Sequence, residues 1–455
     1  MASAATPVSA TCDPSTAVFA GCLSLFRQAP GQSGVTPLLF ANDPTLVGIF
    51  GATAMQNYAD AVFAAAPAAG QGQQSEQANV TAKSFAAFTH NEIALTDKLN
   101  LTLGLRFTHE TKDVTADLNA TAPVCDVLQD TSQLPGAAVG VTYNTVSSAI
   151  FSNPTAATLF LLSCNPVANT IANGTYAGGI SENEWSGIAS LKYDFTNDIN
   201  AYLTYSRGYK AGGFNLDRSA FNMTPVSTVK PSVNDWAFNP EFTDNYEFGV
   251  KSRLPLRTTA NLAIFYEHIK GYQDNEFLGT NYKAFNVPSV ISKGAEIDLT
   301  THPFESLTLS GNASYNEAYY DGAFTLSPTA GTIPDGLRLG GTSKYTGNLS
   351  ATYDLPLAGT NLGLQFYLNG RYVSRYRIGA VVGSLQTDTQ PGFGLLSGRI
   401  SLGERGDRTW SVELWGENLL DKYYLLGEFN PPFEANVAGI IGDPRTYGVT
   451  VRAKF

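Results

Sequence analysis

The chain has 455 residues, only 15% of them charged, and carries a net charge of −11. This balance excludes a nucleic-acid surface, which needs clustered Lys and Arg to neutralise phosphates. No run approaches the ~20 consecutive apolar residues of a spanning helix, whereas 43 Gly, 22 Tyr and 26 Phe point to strands and turns.

Residues 1–77 open with MASAATPVSATCDPSTAVFAGC, which lacks the basic stretch and continuous apolar core of a signal peptide. Either the chain is cytoplasmic or its true start is missing. The region reads as an extracellular loop with a truncated start, with room for a short helix in PTLVGIFGATAMQNYADAVFAAA. Cys12, Cys22, Cys125 and Cys164 all fall outside strand-like segments. Their even count favours two local disulfides, Cys12–Cys22 and Cys125–Cys164, in an oxidising compartment, a pairing chosen only by proximity in sequence. Zinc is the competing reading, but CxxC and a nearby His pair are both missing.

From 78 to 455, alternation dominates. Strands are predicted near 80–96, 98–112, 185–195, 199–211, 243–253, 259–272, 288–301, 306–320, 344–355, 361–377, 392–403, 409–424 and 445–455. In KLNLTLGLRFTHE, Leu99, Leu101, Leu103, Leu105 and Phe107 oppose Asn100, Thr102, Gly104, Arg106 and Thr108. Short polar turns such as TDKLN, TNDIN and LPLRT alternate with long irregular segments such as 114–184 and 213–241. That asymmetry matches short periplasmic turns and long extracellular loops on an antiparallel transmembrane β-barrel. An odd strand number leaves an open edge in lipid, so the chain reads as the carboxy-terminal part of a longer barrel.

Alternation alone does not separate a soluble β-protein from a membrane barrel, whose apolar face looks outward. Three features favour the barrel. The polar face is rich in Thr, Ser, Asn and Gly but sparse in Lys and Glu, unlike a soluble surface. Aromatics gather near strand ends in YLTYSRGY, EAYY, RYVSRY and DKYY, as interfacial girdles do. The strands also exceed the ~5–6 residues usual in sandwiches.

Function then rests on the hollow and the loops. Arg106, Glu110, Glu247, Lys251, Glu296, Asp298, Arg371, Arg399, Glu413, Glu417 and Arg452 alternate onto the polar face, where a wet or protein-filled interior accommodates charge. Trp236, Tyr282, Arg338, Tyr376 and Arg377 are loop candidates for ligand contact, and Arg207 is expected outward near the upper rim, within reach of lipopolysaccharide phosphate. His90, His109, His268 and His302 are scattered, and no GxSxG, P-loop or HExxH occurs. No catalytic residue, metal or cofactor is therefore expected.

The segments LTLGLRFTHE, AYLTYSRGYKAGGFN, NPEFTDNYEFGVKS, SKGAEIDLTTHP, WGENLLDKYY and DPRTYGVTVRAKF resemble the barrel part of TonB-dependent outer-membrane transporters. The likeness runs from about residue 80 to the end. It implies a twenty-two-stranded barrel around an amino-terminal plug, these thirteen strands being the tenth to the last, in a Gram-negative outer membrane. It implies import of a scarce, bulky nutrient, most often a ferric siderophore, and coupling to the TonB complex through the plug segment. It also implies that the last strand, with Tyr447, Gly448, Val449, Val451 and Phe455, is the signal read by the barrel assembly machinery. The alternatives are a passive porin or autotransporter barrel, and an outer-membrane hydrolase, which requires a Ser–His pair on neighbouring strands.

Overall fold

The computed structural model describes residues 74–121, 170–221, 229–277, 282–327, 331–378, 389–405, 409–429 and 438–454, with a few positions between 48 and 64. The four cysteines and Phe455 lie outside the described residues. Ala52, Thr53, Asn57, Ala61 and Ala64 are helical.

Thirteen strands form one sheet in chain order. They are β1 (Gln74–Ala94), β2 (Leu99–Ala120), β3 (Gly174–Asp194), β4 (Ile199–Lys210), β5 (Glu241–Leu254), β6 (Thr258–Phe277) and β7 (Tyr282–Phe304), then β8 (Leu307–Tyr320), β9 (Tyr345–Pro356), β10 (Leu362–Val373), β11 (Phe393–Glu404), β12 (Trp410–Glu417) and β13 (Thr446–Ala453). Each neighbouring pair is antiparallel. Among the described residues no pairing joins β1 to β13, so the sheet is not closed. These two strands also run in the same direction, so pairing them directly would break the antiparallel order.

One end of the sheet has tight connections, and local chemistry makes them so. In TDKLN, Thr96 Oγ1 accepts from the amides of Lys98 and Leu99; in TNDIN, Thr196 does the same for Asp198 and Ile199. Such hydroxyl-to-backbone bonds close a turn without help from elsewhere. In LPLRT, Leu256 and Arg257 both take positive φ, 60° and 49°.

The strand positions agree with the sequence pattern, but several run further at the loop end. β1 starts at Gln74, β2 continues to Ala120, β3 starts at Gly174, and β6 and β7 extend to Phe277 and back from Tyr282. β12 is shorter than expected. It stops at Glu417 because Asn418 (φ 46°) turns the chain, and its side chain bonds Lys422 N, Lys422 O and Asp443 O at 2.8–3.0 Å.

Register sorts side chains onto two faces. One face carries Leu105, Leu203, Leu349, Leu414 and Val449, all exposed, Leu349 at 67%. Leu101, Leu103, Leu362 and Leu364 are exposed or half-buried on this face, and none sits in a dry centre between sheets. Aromatics border the band. Toward the loops stand Phe107 with Trp185 (ring centroids 5.0 Å apart), Tyr205 with Tyr246 (5.1 Å) and Tyr315 with Tyr345 (5.4 Å); toward the turns stand Tyr193 and Phe195 (4.9 Å).

Beyond the upper aromatics the two faces exchange character. On β2 the exposed residues become Asp113, Thr115, Asp117 and Asn119, and the buried ones Val114, Ala116, Leu118 and Ala120. Val114, Ala116 and Leu118 pack with Tyr176, Ala220, Phe221 and Trp236 in one cluster. A second cluster joins Val287, Val290, Ala318, Tyr320, Ile333 and Leu339. The described core thus sits at the loop end, on the face that is polar further down.

Candidate functional site

Following the register strand by strand places Arg106, Glu110, Glu247, Lys251, Glu296, Asp298, Arg371, Arg399, Glu413, Glu417 and Arg452 on one face, opposite the exposed leucines. Some of these meet. Glu413 lies between Arg452 (3.5 Å) and Arg399 (3.9 Å), and Arg399 also covers the Tyr367 ring at 4.4 Å. With Trp415 and Glu417 they line a cavity of about 420 Å³. Trp415 Nε1 donates to Thr450 at 3.0 Å, and its ring lies against Gly448, where a Cβ would come within 2.7 Å. The glycine makes room for the indole.

On β5–β7 the wall is acidic. Glu247 accepts from the Tyr202 hydroxyl at 2.5 Å, while Lys251 sits over the Tyr202 ring at 5.5 Å. Glu296 accepts weakly from Ser314. Near the loops, Glu110 pairs with Lys112 at 2.9 Å, and Arg106 donates to Thr108 at 3.1 Å. The charges are scattered over the wall, not gathered in one centre.

A folded strap crosses this face at the loop end. It begins at Gly212, whose amide donates to Glu182 at 3.0 Å and whose carbonyl accepts from Lys112. Asn215 bonds Ala284 through both amide atoms, at 2.7 and 2.9 Å. Asn286 bridges the Asn239 carbonyl and the Gly271 carbonyl, and Gln273 Nε2 donates to the Ala211 and Asn239 carbonyls. Arg218, fully buried, pairs with Glu76 at 2.8 Å and donates to Asn173 at 2.7 Å. Burial draws its guanidinium below the usual value, and the Glu76 carboxylate opposes that shift. The strap therefore ties β1–β3 to the β6–β7 hairpin.

The loop candidates divide. Trp236 is fully buried in the first cluster, stacked on Phe221 at 4.9 Å, so it serves the strap's core and offers no surface to a ligand. Tyr282 opens β7, its backbone opposite Phe277. Arg338, Tyr376 and Arg377 come together: Arg377 Nη1 donates to the Arg338 carbonyl at 3.0 Å, Arg338 to the Asn316 carbonyl, and Tyr376 to the Leu425 carbonyl. The sequence pattern did not single out Arg218, Glu182, Asn215, Gln273 or Asn286. Amides and charges in glycine-rich KAGGFNLDR look like solvated loop, and Ala284, which Asn215 bonds on β7, lies 69 residues away.

Arg207 lies on the leucine-bearing face, just past the upper aromatics. It pairs with Asp244 at 3.1 Å and lies over Phe242 at 5.1 Å. A Ser–His pair does occur on neighbouring strands: His268 Nε2 is 2.9 Å from Ser289 Oγ. Ser289, however, donates its proton to Asp321 at 2.8 Å, which leaves His268 to donate to the serine and not to act as its base.

The sequence profile of the family described as TonB dependent receptor-like, beta-barrel matches residues 26–419. The ferric-pyoverdine M114 receptor PbuA of Pseudomonas sp. (strain M114) is 25% identical over 279 residues, covering 59% of this chain and 29% of the receptor. The ferric yersiniabactin uptake receptor FyuA from Yersinia pestis superposes with a TM-score of 0.59 at 18% identity, over 84% of this chain and 47% of that one. The ferric-catecholate import receptor Fiu from E. coli K12 gives 0.53 at 16%, over 82% and 45%. Identities this low show a shared fold. The chain spans less than half the length of each of these relatives.

Proposed function

Because the chain belongs to the TonB-dependent receptor-like β-barrel family, we propose that it forms the wall of an outer-membrane transporter for a scarce, bulky nutrient, a ferric siderophore before others. The family consists of receptors and transporters, not enzymes. Two of the relatives are named for ferric siderophores, which supports that choice of ligand. The observation that carries the reading is the pair of opposed faces: exposed leucines on one, and Arg399, Glu413 and Arg452 on the other. Charge on the inward face calls for a wet or protein-filled hollow.

In this reading the loops, including Tyr282, Arg338, Tyr376 and Arg377, contact the ligand outside the cell, and residues 1–77 belong to that extracellular layer, ahead of a barrel from 78 to 455. The lumen charges, Glu110, Glu247, Glu296, Arg371 and Glu417 among them, pair with a plug that the TonB complex pulls. The row of Arg207, Lys270, Lys293 and Lys344, set against Asp244 and Glu317, meets lipopolysaccharide phosphates above the lipid. Tyr447, Val449 and Val451, exposed on the final strand, present the signal taken up by the assembly machinery, with Gly448 and Phe455. Cys12–Cys22 and Cys125–Cys164 remain the proposed disulfides.

The test is deletion of the gene in its own bacterium, followed by uptake of 55Fe carried by pyoverdine and by a catecholate under iron limitation. Loss of energy-dependent uptake of one chelate supports the reading. Unchanged uptake of both, with unchanged iron-limited growth, overturns the siderophore assignment.

A further inference from the structure

Arginines gather at the loop end of β8–β11. Segments 337–342 and 369–377 carry Arg338, Arg371, Arg375 and Arg377 and no Asp or Glu, in a chain whose net charge is −11. The backbone draws these segments together. Tyr376–Arg377 forms a short ladder with Thr389–Gln390, and the Gly341 amide donates to the Arg377 carbonyl at 2.8 Å. Arg377 Nη1 in turn donates to the Arg338 carbonyl at 3.0 Å. Burial pushes the Tyr376 and Tyr320 hydroxyls up, and the charges of Arg371 and Arg377, respectively, oppose those shifts. Arg371 and Arg377 thus each lie within electrostatic reach of a phenol at the mouth of the wall.

Among the described residues no carboxylate is bridged to these four cations. The arginine ion pairs there belong to Arg207, Arg218, Arg399, Arg445 and Arg452. Arg338 donates to the carbonyls of Asn316 and Thr342, at 3.4 and 3.5 Å. Arg377 Nη2 is buried and has no hydrogen-bond partner. Four acids on neighbouring segments are engaged elsewhere: Asp274 with the Tyr320 hydroxyl, Asp321 with Ser289, Asp335 with the Gly322 amide, and Glu317 with Lys344 and Lys293. A guanidinium N–H taken out of water without an acceptor is costly. Its planar fork matches paired anionic oxygens.

Resting on the import reading above, which sets Arg338, Tyr376 and Arg377 against the ligand, we propose that this cluster is an anion-binding site. The chelate it takes is itself anionic and presents carboxylate or catecholate oxygens to Arg377, Arg338 and Arg375. A neutral or cationic chelate would bring no charge to offset the mutual repulsion of the guanidiniums.

The test measures surface binding of 55Fe chelates without energy, in the gene-deleted native bacterium carrying each variant. Two anionic probes, a ferric tris-catecholate and a ferric hydroxycarboxylate, are set against a neutral ferric tris-hydroxamate. The parent is expected to bind at least one anionic probe about tenfold more tightly than the neutral one, the scale of one charge-assisted contact. Arg377→Gln is expected to lower that affinity about tenfold, and Arg377→Lys, which keeps the charge but loses the fork, to lie between. Arg375 is exposed, so Arg375→Gln tests the site without disturbing a buried contact; about a threefold loss is expected. Arg253→Gln, at the turn end of β5, should stay within about twofold. The amount of protein in the outer membrane corrects each value for assembly. Equal or tighter binding of the neutral chelate, binding of none of the three, or unchanged anionic affinity in either glutamine variant overturns the site. Uptake with energy is read separately. An anionic probe bound through these arginines but not taken up leaves the site standing and overturns the import reading; uptake of the neutral chelate alone does the reverse.

Discussion

Leu105 and Asp117 project from the same face of β2, and between them that face changes from hydrocarbon to charge. Opposite them the change runs the other way, from Arg106 to the buried Leu118. On the proposed reading a single strand therefore meets two solvents. Lipid surrounds the lower wall and apolar side chains look outward there; above the aromatic belt water lies outside and the strap covers the other face, so the ordinary rule for soluble proteins returns.

Charge on the outward face inside the aromatic belt should block assembly, and charge one residue away should not. Leu203→Arg faces lipid, where a mid-membrane arginine costs about 2–4 kcal/mol, whereas Thr204→Arg faces the hollow. The amount of heat-modifiable protein in outer membranes should fall severalfold for the first and little for the second.

Trp236→Ala should loosen the strap but spare the wall. A large aromatic removed from a filled core costs about 3–5 kcal/mol, and Trp236 packs on Tyr176 and Phe221. Limited proteolysis should cut within 211–240 at much lower protease concentration than in the parent, with the fragments from β5 onward remaining protected.

Arg218 and Glu76 should behave as a pair. Removing one partner of a buried ion pair leaves the other charge stranded, at about 3–5 kcal/mol. Arg218→Met alone should therefore destabilise the strap more than Arg218→Met with Glu76→Leu. Hydrogen exchange of the peptide spanning 213–221 separates the two cases; equal protection in both variants would count against an energetic role for the pair.

The Lys344 ammonium, bonded to Glu317 at 3.1 Å, holds that carboxyl below its usual value, with Lys293 assisting. A depressed carboxyl contributes stability in full above its unfolded pKa and loses it as pH falls through the folded one. The tether between β8 and the segment leading into β9 should thus hold at neutral pH and release in acid below about 4.5, the ordinary carboxyl range. Hydrogen exchange over 337–344 should rise in that window for the parent and show no such step in Glu317→Gln.

Much of the architecture was legible because strand alternation has a period of two and persists over long stretches. The eleven charges of the polar face, from Arg106 to Arg452, share one face as their spacing indicates. The ends of β2 and β3 were hidden because alternation inverts there: Val114, Ala116 and Leu118 continue the phase of Arg106, so the polar and apolar roles appear to break off. The end of β12 was hidden because Asn418 turns the chain by side-chain bonds to Lys422 and Asp443, which hydropathy does not record. Trp236 resembled a ligand contact because its surroundings, PSVNDW, are polar; its neighbours in space, Phe221 and Tyr176, come from elsewhere in the chain.

The central claim is the exchange of faces along β2, and a spin-label scan from Leu101 to Asn119 in outer-membrane vesicles tests it most directly. Oxygen collisions should peak at 101, 103, 105 and 107, collisions with a water-soluble nickel chelate at 113, 115, 117 and 119, and neither should reach 114, 116 or 118. Labels at 101–105 shielded from both quenchers, or reached by the nickel chelate, would contradict the account.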